Sequence, residues 1–557
     1  MADFEYWAES CPIADLLVRG AHLHPTRAAI VLPEARRTYR ELLDGAVRVA
    51  QGLLAAGVRP RDHVGMFMTN SLEFVEGFFG ITLLGCVVVP LNARHKAAEL
   101  GYIINNAELT ALLTAADDGS YLDYSQVICE SLPSLAQAAN PLRLDLPEAP
   151  QLRVAILLRG GNRPGFLSSE DFMRLAAPVA PSEIDAIRQR VRLRDIAAIL
   201  YTSGTTANPK GCMLTHEAMT RGPTERARHR LAVADHNVHW GAGPLFHIGS
   251  LAPFIGAISV AGTYLTDVFF DPGRALELMY REGVTNAWPW FPAIVQGLLD
   301  HPSFDSSRLQ SLKTLLMIGP KALVERVQAA LPHVEVMQAC GMTETAGIFA
   351  IADPQETPEV RAVTHGKPSP GVEIRIRDVD TGEDAKPGEV GEILVRGYCV
   401  MEGYYRDPEK TAATLDADGW LHTGDLYARN ADGNLVFNGR LKDMLKVGGE
   451  NVAAIEVEAF LCEHPAVRIA EVVGRPDPRL DEVPVAFVEL HPDHQVTAEE
   501  LIEFCKGKIA NYKIPRAVYF MKPDEWPMSA TKVNKPALRQ RVLQEMGLAS
   551  PAPAGGL

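Results

Sequence analysis

The fold is decided by one run, TYRELLDGAVRVAQGLLAAGVRPRDHVGMFMTNSLEFVEGFFGITLLGCVVVPLN, Thr38–Asn92. Its first part, TYRELLDGAVRVAQGLLAAGV, spaces apolar residues as one helix face and stops at Gly57, a common helix terminator. DHVGMFM then reads as a strand, SLEFVEGFFGITLLG as a helix and CVVVPLN as a second strand. Strands alternating with helices of this length predict βαβ units and a mainly parallel sheet, an α/β fold. The rhythm returns after Ala218, where GVTNAWPW, LKTLLMIG and VEVMQACG are strand candidates.

From Val372 the texture changes. VEIRIRDVDTGEDAKPGEVGEILVRG is strand, Gly/Asp-rich turn, strand, which predicts a small antiparallel or β-barrel-like unit. After Arg440 the pattern is helix (AAIEVEAFLCEHP), strand (VRIAEVVGRP), strand (EVPVAFVEL) and helix (TAEELIEFCKGKIA). The expected division is a large domain over residues 1–441, its barrel-like unit at about 372–441, and a small mobile α+β domain over 442–557. The terminal ASPAPAGGL reads as disordered.

At 557 residues the chain exceeds what one core organises. A net charge of −15 and the lack of a long Lys/Arg run argue against nucleic-acid binding, which needs basic surface. The first residues, MADFEYWAESCPIADLL, lack the basic segment of a secretory signal. Gly77–Pro90, GFFGITLLGCVVVP, falls short of the ~20 apolar residues of a membrane span and reads as a buried helix entering a strand. Eight scattered cysteines without a CxxC pair fit reduced thiols better than disulfides or zinc. The expectation is a cytoplasmic protein, monomeric or homodimeric.

Chemistry concentrates in YTSGTTANPKGCMLTH, Tyr201–His216, directly behind the apolar IAAIL. Thr202, Ser203, Thr205 and Thr206 supply hydroxyls, Gly204 frees backbone N–H groups to turn toward a ligand, and Lys210 adds a point charge. Such a donor-rich run suits a polyphosphate. It resembles the phosphate-binding loop of the adenylate-forming superfamily: acyl-CoA synthetases, adenylation domains of peptide synthetases, and luciferases. Further motifs follow in that family's order. PLFHIGSL (Pro244–Leu251) resembles its acyl-pocket motif, GMTET (Gly341–Thr345) its magnesium and phosphate motif, GWLHTGD (Gly419–Asp425) its ribose motif, and GRLKDMLKVGGENV (Gly439–Val452) its hinge and thiol-tunnel motif. The resemblance runs from about Thr38 to Leu538.

It implies an acid–CoA ligase that uses ATP, Mg2+ and CoA. A carboxylate attacks the ATP α-phosphate to give an acyl-adenylate and pyrophosphate, and the CoA thiol then displaces AMP. Two anions meet in the first step, so catalysis must rest on charge neutralisation and positioning. By resemblance, Glu344 and the Thr206 hydroxyl would hold magnesium, Thr343 would bond the α-phosphate, and Gly341 and Met342 would lead the chain past the nucleotide. Asp425 would accept the ribose hydroxyls, and Arg440 would contact ribose or phosphate. Gly319, Pro320, Lys321 and Cys340 would border adenine. His247 would line the acyl pocket near the reacting carboxylate. Amino-acid-activating relatives carry Asp directly after the Phe; here His247 follows Phe246, which points to an acid without an α-amine, fatty or aromatic.

The chain departs from the family in three places. Cys340 replaces a Tyr that stacks on adenine, with GPKA at Gly319–Ala322 in place of GGAP. Lys321 then bonds either the base or an anionic substrate group. Ala207 replaces a loop Gly, and PMSATKVNK (Pro527–Lys535) lacks the Gly before the family's catalytic lysine. Lys532 takes that role by its Val533 neighbour, with Lys535 as the alternative. Glu344 and Asp425 lie 81 positions apart, too close for the extra segment of fatty-acyl-AMP ligases. Gly448 and Gly449 allow a pantetheine arm to pass. Both favour CoA over a carrier protein, the alternative acceptor; a relative that binds but has lost catalysis is the remaining reading. Lys442 occupies the hinge position. Lys442→Pro, which fixes φ, is expected to spare acyl-adenylate formation and cripple thioester formation, measured as separate half-reactions.

Overall fold

The computed structural model describes residues 9–116, 123–202, 209–447, 450–529 and 532–546. Thr38 opens the first long helix, Tyr39–Ala55, with a reciprocal cap: Glu41 N donates to the Thr38 hydroxyl, and Thr38 N donates to the Glu41 carboxylate at 2.8 Å. Gly57, at φ +91°, turns the chain out of that helix in a conformation that suits glycine. The strand His63–Phe67, the helix Leu72–Leu83 and the strand Val87–Pro90 follow, with the two strands parallel.

These strands belong to a seven-stranded sheet. Val154–Arg159, Ala111–Ala115, His63–Phe67, Val87–Pro90 and Ile196–Thr202 lie side by side in parallel. Lys210–Thr215 and Gly403–Tyr404 extend the sheet antiparallel at one edge. A second seven-stranded sheet orders Glu335–Met337, Thr314–Met317, Asn286–Trp290, Val238–Gly241, Thr263–Leu265 and Ala28–Val31 in parallel, with Arg36–Thr38 antiparallel at its edge.

The helix Ile248–Ser259 joins the two halves. All of its residues except Gly249 are buried, as expected of a helix apolar on every face. Phe254 meets Phe78 and Phe79 of Leu72–Leu83 at ring-centroid distances of 6.4 and 5.8 Å, and Tyr264 of the second sheet at 5.3 Å. The Tyr264 hydroxyl donates to Ser250 O at 3.2 Å. Among the described residues, no helix is long and apolar enough to cross a membrane.

Val372–Arg377, Val390–Gly397, Leu421–Arg429 and Leu435–Arg440 form an antiparallel sheet in that order. The C-terminal region has its own core, in which Val452, Leu461, Val488 and Leu501 pack together. There Glu450–Ala453, Met444–Val447, Asp481–Leu490 and Val467–Asp477 lie side by side, and Ala517–Phe520 adds parallel to Asp481–Leu490. The fold is thus mixed α/β, a parallel-sheet N-terminal region followed by a small α+β unit. Phe254→Ala is expected to cost about 3–5 kcal/mol, read from denaturant unfolding of the N-terminal region. Leu23→Ala, at a side chain 59% exposed, is expected to change stability by less than about 0.5 kcal/mol.

Candidate active site

The phosphate motif sits between two antiparallel strands. Thr202 ends Ile196–Thr202 directly opposite Lys210, which begins Lys210–Thr215. The connecting residues 203–208 lie outside the described residues, and with them Ser203, Gly204, Thr205 and Thr206. The Lys210 ammonium lies over the Tyr404 ring, 5.0 Å from its centroid. Tyr404 comes from the neighbouring edge strand, paired with Cys212, and its hydroxyl donates to Glu344 Oε1 at 2.9 Å. Glu344 is 8% exposed, and its carbonyl accepts from Met401 N at 2.9 Å. Three distant segments therefore converge on one carboxylate.

Glu344 lies in a tight turn, Thr343–Thr345, with Thr343 half-buried beside it. The Thr345 hydroxyl holds this turn: it accepts from Met342 N and lies 2.7 Å from Gly347 O. Gly341 is required here, because a Cβ would stand 2.4 Å from Gly347 O. Glu344 forms no ion pair among the described residues, and a buried carboxylate calls for a cation. One carboxylate together with substrate phosphates is a usual Mg2+ environment, so this residue fits the ion the resemblance implies. Neighbouring Cys212 is fully buried, and burial pushes its thiol well above the usual range.

Asp425 and Arg440 face each other across Leu421–Arg429 and Leu435–Arg440, with Arg440 Nε 2.9 Å from Asp425 Oδ1. The strand just before Asp425 is pinned by its neighbour: Gly424 N donates to Glu392 Oε1 at 2.9 Å, and the Thr423 hydroxyl donates to Ile393 O at 2.7 Å. This holds the carboxylate half-covered, where a vicinal diol could reach it.

On the adenine side, Gly319 N donates to Gln338 Oε1 at 3.1 Å, and Pro320 precedes the helix Lys321–Ala330. Lys321 is exposed and pairs with Glu325 of its own helix at 3.5 Å. Cys340 is only 4% exposed. Its thiol, pushed up by burial, is hydrogen-bonded to Tyr427, which is bonded at 2.9 Å to His365 Nδ1. Burial holds His365 down at about 4, so the ring is neutral. The expectation that Cys340 borders the base thus meets a covered thiol, sealed by an aromatic cluster.

His247 precedes the helix Ile248–Ser259, with its ring 5.0 Å from Phe246. Sequence reasoning missed the residue that places this turn. Asn70 is 2% exposed; its Oδ1 accepts from Leu245 N at 2.7 Å, and its Nδ2 donates to Gly243 O and to the Thr266 hydroxyl. Tyr404 was missed as well. The only local hint of it was GYY behind VRGYCVME, which names no partner.

In the C-terminal region, Lys442 falls in the turn Leu441–Asp443, directly after the strand that carries Arg440; its side chain, like Gly448 and Gly449, lies outside the described residues. Lys532 sits in a short antiparallel pairing opposite Ser529, and its side chain is likewise outside the description. Lys535 is described. Its ammonium pairs with the buried Glu458 and lies 3.5 Å from the half-buried Glu471, whose carboxyl burial and the Glu458 charge push up to about 7. Lys535 is thus held by two acids of its own unit.

The Thr202–Lys210 strand pair, the buried Glu344, the Asp425–Arg440 pair and the small C-terminal α+β unit fall on the motifs that carry the resemblance. The chain belongs to the AMP-binding enzyme family: that family's model matches residues 17–405, and the AMP-binding enzyme C-terminal domain matches residues 456–532. It is 34% identical over 531 residues to the 3-[(3aS,4S,7aS)-7a-methyl-1,5-dioxo-octahydro-1H-inden-4-yl]propanoyl:CoA ligase of Rhodococcus jostii (strain RHA1), covering 94% of this chain and 97% of that one. It is 30% identical over 559 residues to the mitochondrial medium-chain acyl-CoA ligase ACSF2 of Mus musculus, covering 96% and 88%. Among solved structures, the anthranilate CoA ligase AuaEII in complex with anthranoyl-AMP superposes with a TM-score of 0.84 at 28% identity, covering 97% and 98% of the two chains.

The two lysines separate by experiment. Lys535→Met is expected to cost about 3 kcal/mol by stranding the buried Glu458 carboxylate, seen as earlier unfolding of the C-terminal region. Lys532→Met is expected to melt like the parent while slowing acyl-adenylate formation by about 10²–10³.

Proposed function

We propose that this chain is an ATP-dependent acid–CoA ligase that activates a non-amino carboxylic acid as its acyl-adenylate and passes the acyl group to CoA. The observation that carries this reading is the convergence on Glu344: a buried carboxylate with no ion-pair partner among the described residues, hydrogen-bonded by Tyr404, whose ring lies against the Lys210 ammonium. Such a group suits a metal-bound triphosphate and little else in the fold.

In the proposed reaction, Lys210 and the Thr202 hydroxyl contact the phosphates, Thr343 bonds the α-phosphate, and Asp425 accepts the ribose hydroxyls. Glu344 would hold Mg2+, which when bound would supply charge neutralisation to the phosphates. Tyr404 fixes the orientation of the Glu344 carboxylate. His247 lines the place of the reacting carboxylate, and Lys532 reaches across to lower the repulsion between carboxylate and α-phosphate. The acid's oxygen bonds to the α-phosphorus as pyrophosphate leaves. Rotation about Lys442 then admits CoA past Gly448 and Gly449, and its sulfur takes the acyl carbon as AMP leaves. Relatives named for bicyclic, medium-chain and aromatic acids support a carboxylic acid substrate. The scattered, largely buried thiols suit the reducing cytoplasm.

The test is carboxylate-dependent exchange of pyrophosphate into ATP, followed by a thioester assay with CoA and with a phosphopantetheinylated carrier protein. Exchange and CoA thioester are expected, with little product on the carrier. Exchange with carrier product alone would move the protein to the carrier-loading class, and no exchange with any acid would mark a relative without catalysis.

A further inference from the structure

Arg226 and His239 are buried groups to which the reaction above gives no task; they are 3% and 1% exposed. Both line a narrow crevice beside the helix Ile248–Ser259, open enough for about one water molecule and walled by Ala252, Pro253, Trp288 and Ile348. The Trp288 indole N–H donates to His239 Nδ1 at 3.3 Å. Nδ1 is therefore the acceptor and the ring proton sits on Nε2. Burial lowers the ring's pKa to about 3, so it stays neutral. This Nε2–H is buried with no hydrogen-bond partner among the described residues.

Arg226 is the second donor. Its guanidinium donates to Ile348 O at 3.0 Å, lies within the field of the Glu225 carboxylate, and forms no ion pair among the described residues. It opens a five-residue π-helical turn, Arg226–Arg230, a departure from regular helix that recurs at functional sites. The cavity's polar side chains thus donate and do not accept, while the rest of its wall is apolar. A buried donor left unpaired is costly, and a site built this way discriminates against ligands that cannot accept.

The cavity lies at acyl distance from the reaction. His247 precedes the helix whose Ala252 and Gly256 wall it, roughly 7–14 Å further along the helix axis at 1.5 Å per residue. Ile348 follows Glu344 by four positions in the same hairpin. We propose that Arg226 and His239 form a distal acyl subsite, selecting carboxylic acids that carry a second oxygen acceptor, a ketone or a carboxylate, remote from the reacting carboxyl. The inference rests on the acid–CoA ligase reading.

The test compares pyrophosphate release with octanoate, 7-oxooctanoate and octanedioate. At least one oxygenated acid is expected to exceed octanoate in kcat/KM by tenfold or more. A lead for octanedioate identifies the acceptor as a carboxylate, and a lead for 7-oxooctanoate identifies it as a ketone. Arg226→Met and His239→Phe are expected to bring the oxygenated-to-plain ratio toward one, mainly through KM, while His239→Gln, which keeps a donor, retains more of it. Equal kcat/KM for the three acids in the parent protein overturns the subsite and leaves the cavity to water. So does an equal loss on all three acids in folded variants, because that marks a structural role. Should the variants fail to fold, the parent's ratio alone decides. Absence of pyrophosphate release with every acid is a different result: it removes the ligase reading, and the subsite with it.

Discussion

A helix with no solvent-facing side must be held by everything around it, and Ile248–Ser259 is such a helix. Phe254 is gripped by Phe78 and Phe79 from one half of the molecule and by Tyr264 from the other, so the two parallel sheets cannot shift without it. His247 begins where this helix begins, and Asn70, from the first half, fixes the turn before it by bonds to Leu245 and Thr266 of the second. The position of the acyl motif is therefore a property of the whole core rather than of a local loop.

Charge is placed differently. Lys210 begins an antiparallel strand beside the edge of its sheet, Glu344 sits in a tight turn, and Asp425 lies on a strand held by Glu392 of the next. The buried exception, Glu344, is tolerated because Tyr404 bonds it and because a metal-bound nucleotide would answer its charge. The C-terminal region treats its own buried charge differently: Lys535 closes on Glu458 and Glu471 within the same unit, with no ligand needed.

The elements written in local pattern were legible before any coordinates. Thr38 and Glu41 stand three apart and cap the helix they announce, and apolar spacing marked His63–Phe67 and Val87–Pro90. The ordered motifs named the family. Partners far apart in the chain stayed hidden: Asn70 meets Leu245 across 175 positions, Arg226 meets Ile348 across 122, and Tyr404 meets Glu344 across 60. No periodicity encodes such pairs, since they follow from how whole layers stack. Lys532 and Lys535 were ambiguous for the same reason. The local sequence lacks a spacer glycine, and the Glu458 and Glu471 partners of Lys535 lie far away in the chain.

The covered thiols near the site carry a consequence for redox chemistry. Cys212 and Cys340 lie beside Glu344 and Asp425, and burial keeps both protonated and out of contact with solvent. Disulfide exchange needs a thiolate that can approach a sulfur in line. A ligase whose acceptor is itself a thiol thus keeps these two thiols of its own in a form unable to react with oxidised CoA. Oxidative stress would thus limit this protein through the supply of reduced acceptor, leaving the catalyst ready to resume once the thiol pool recovers.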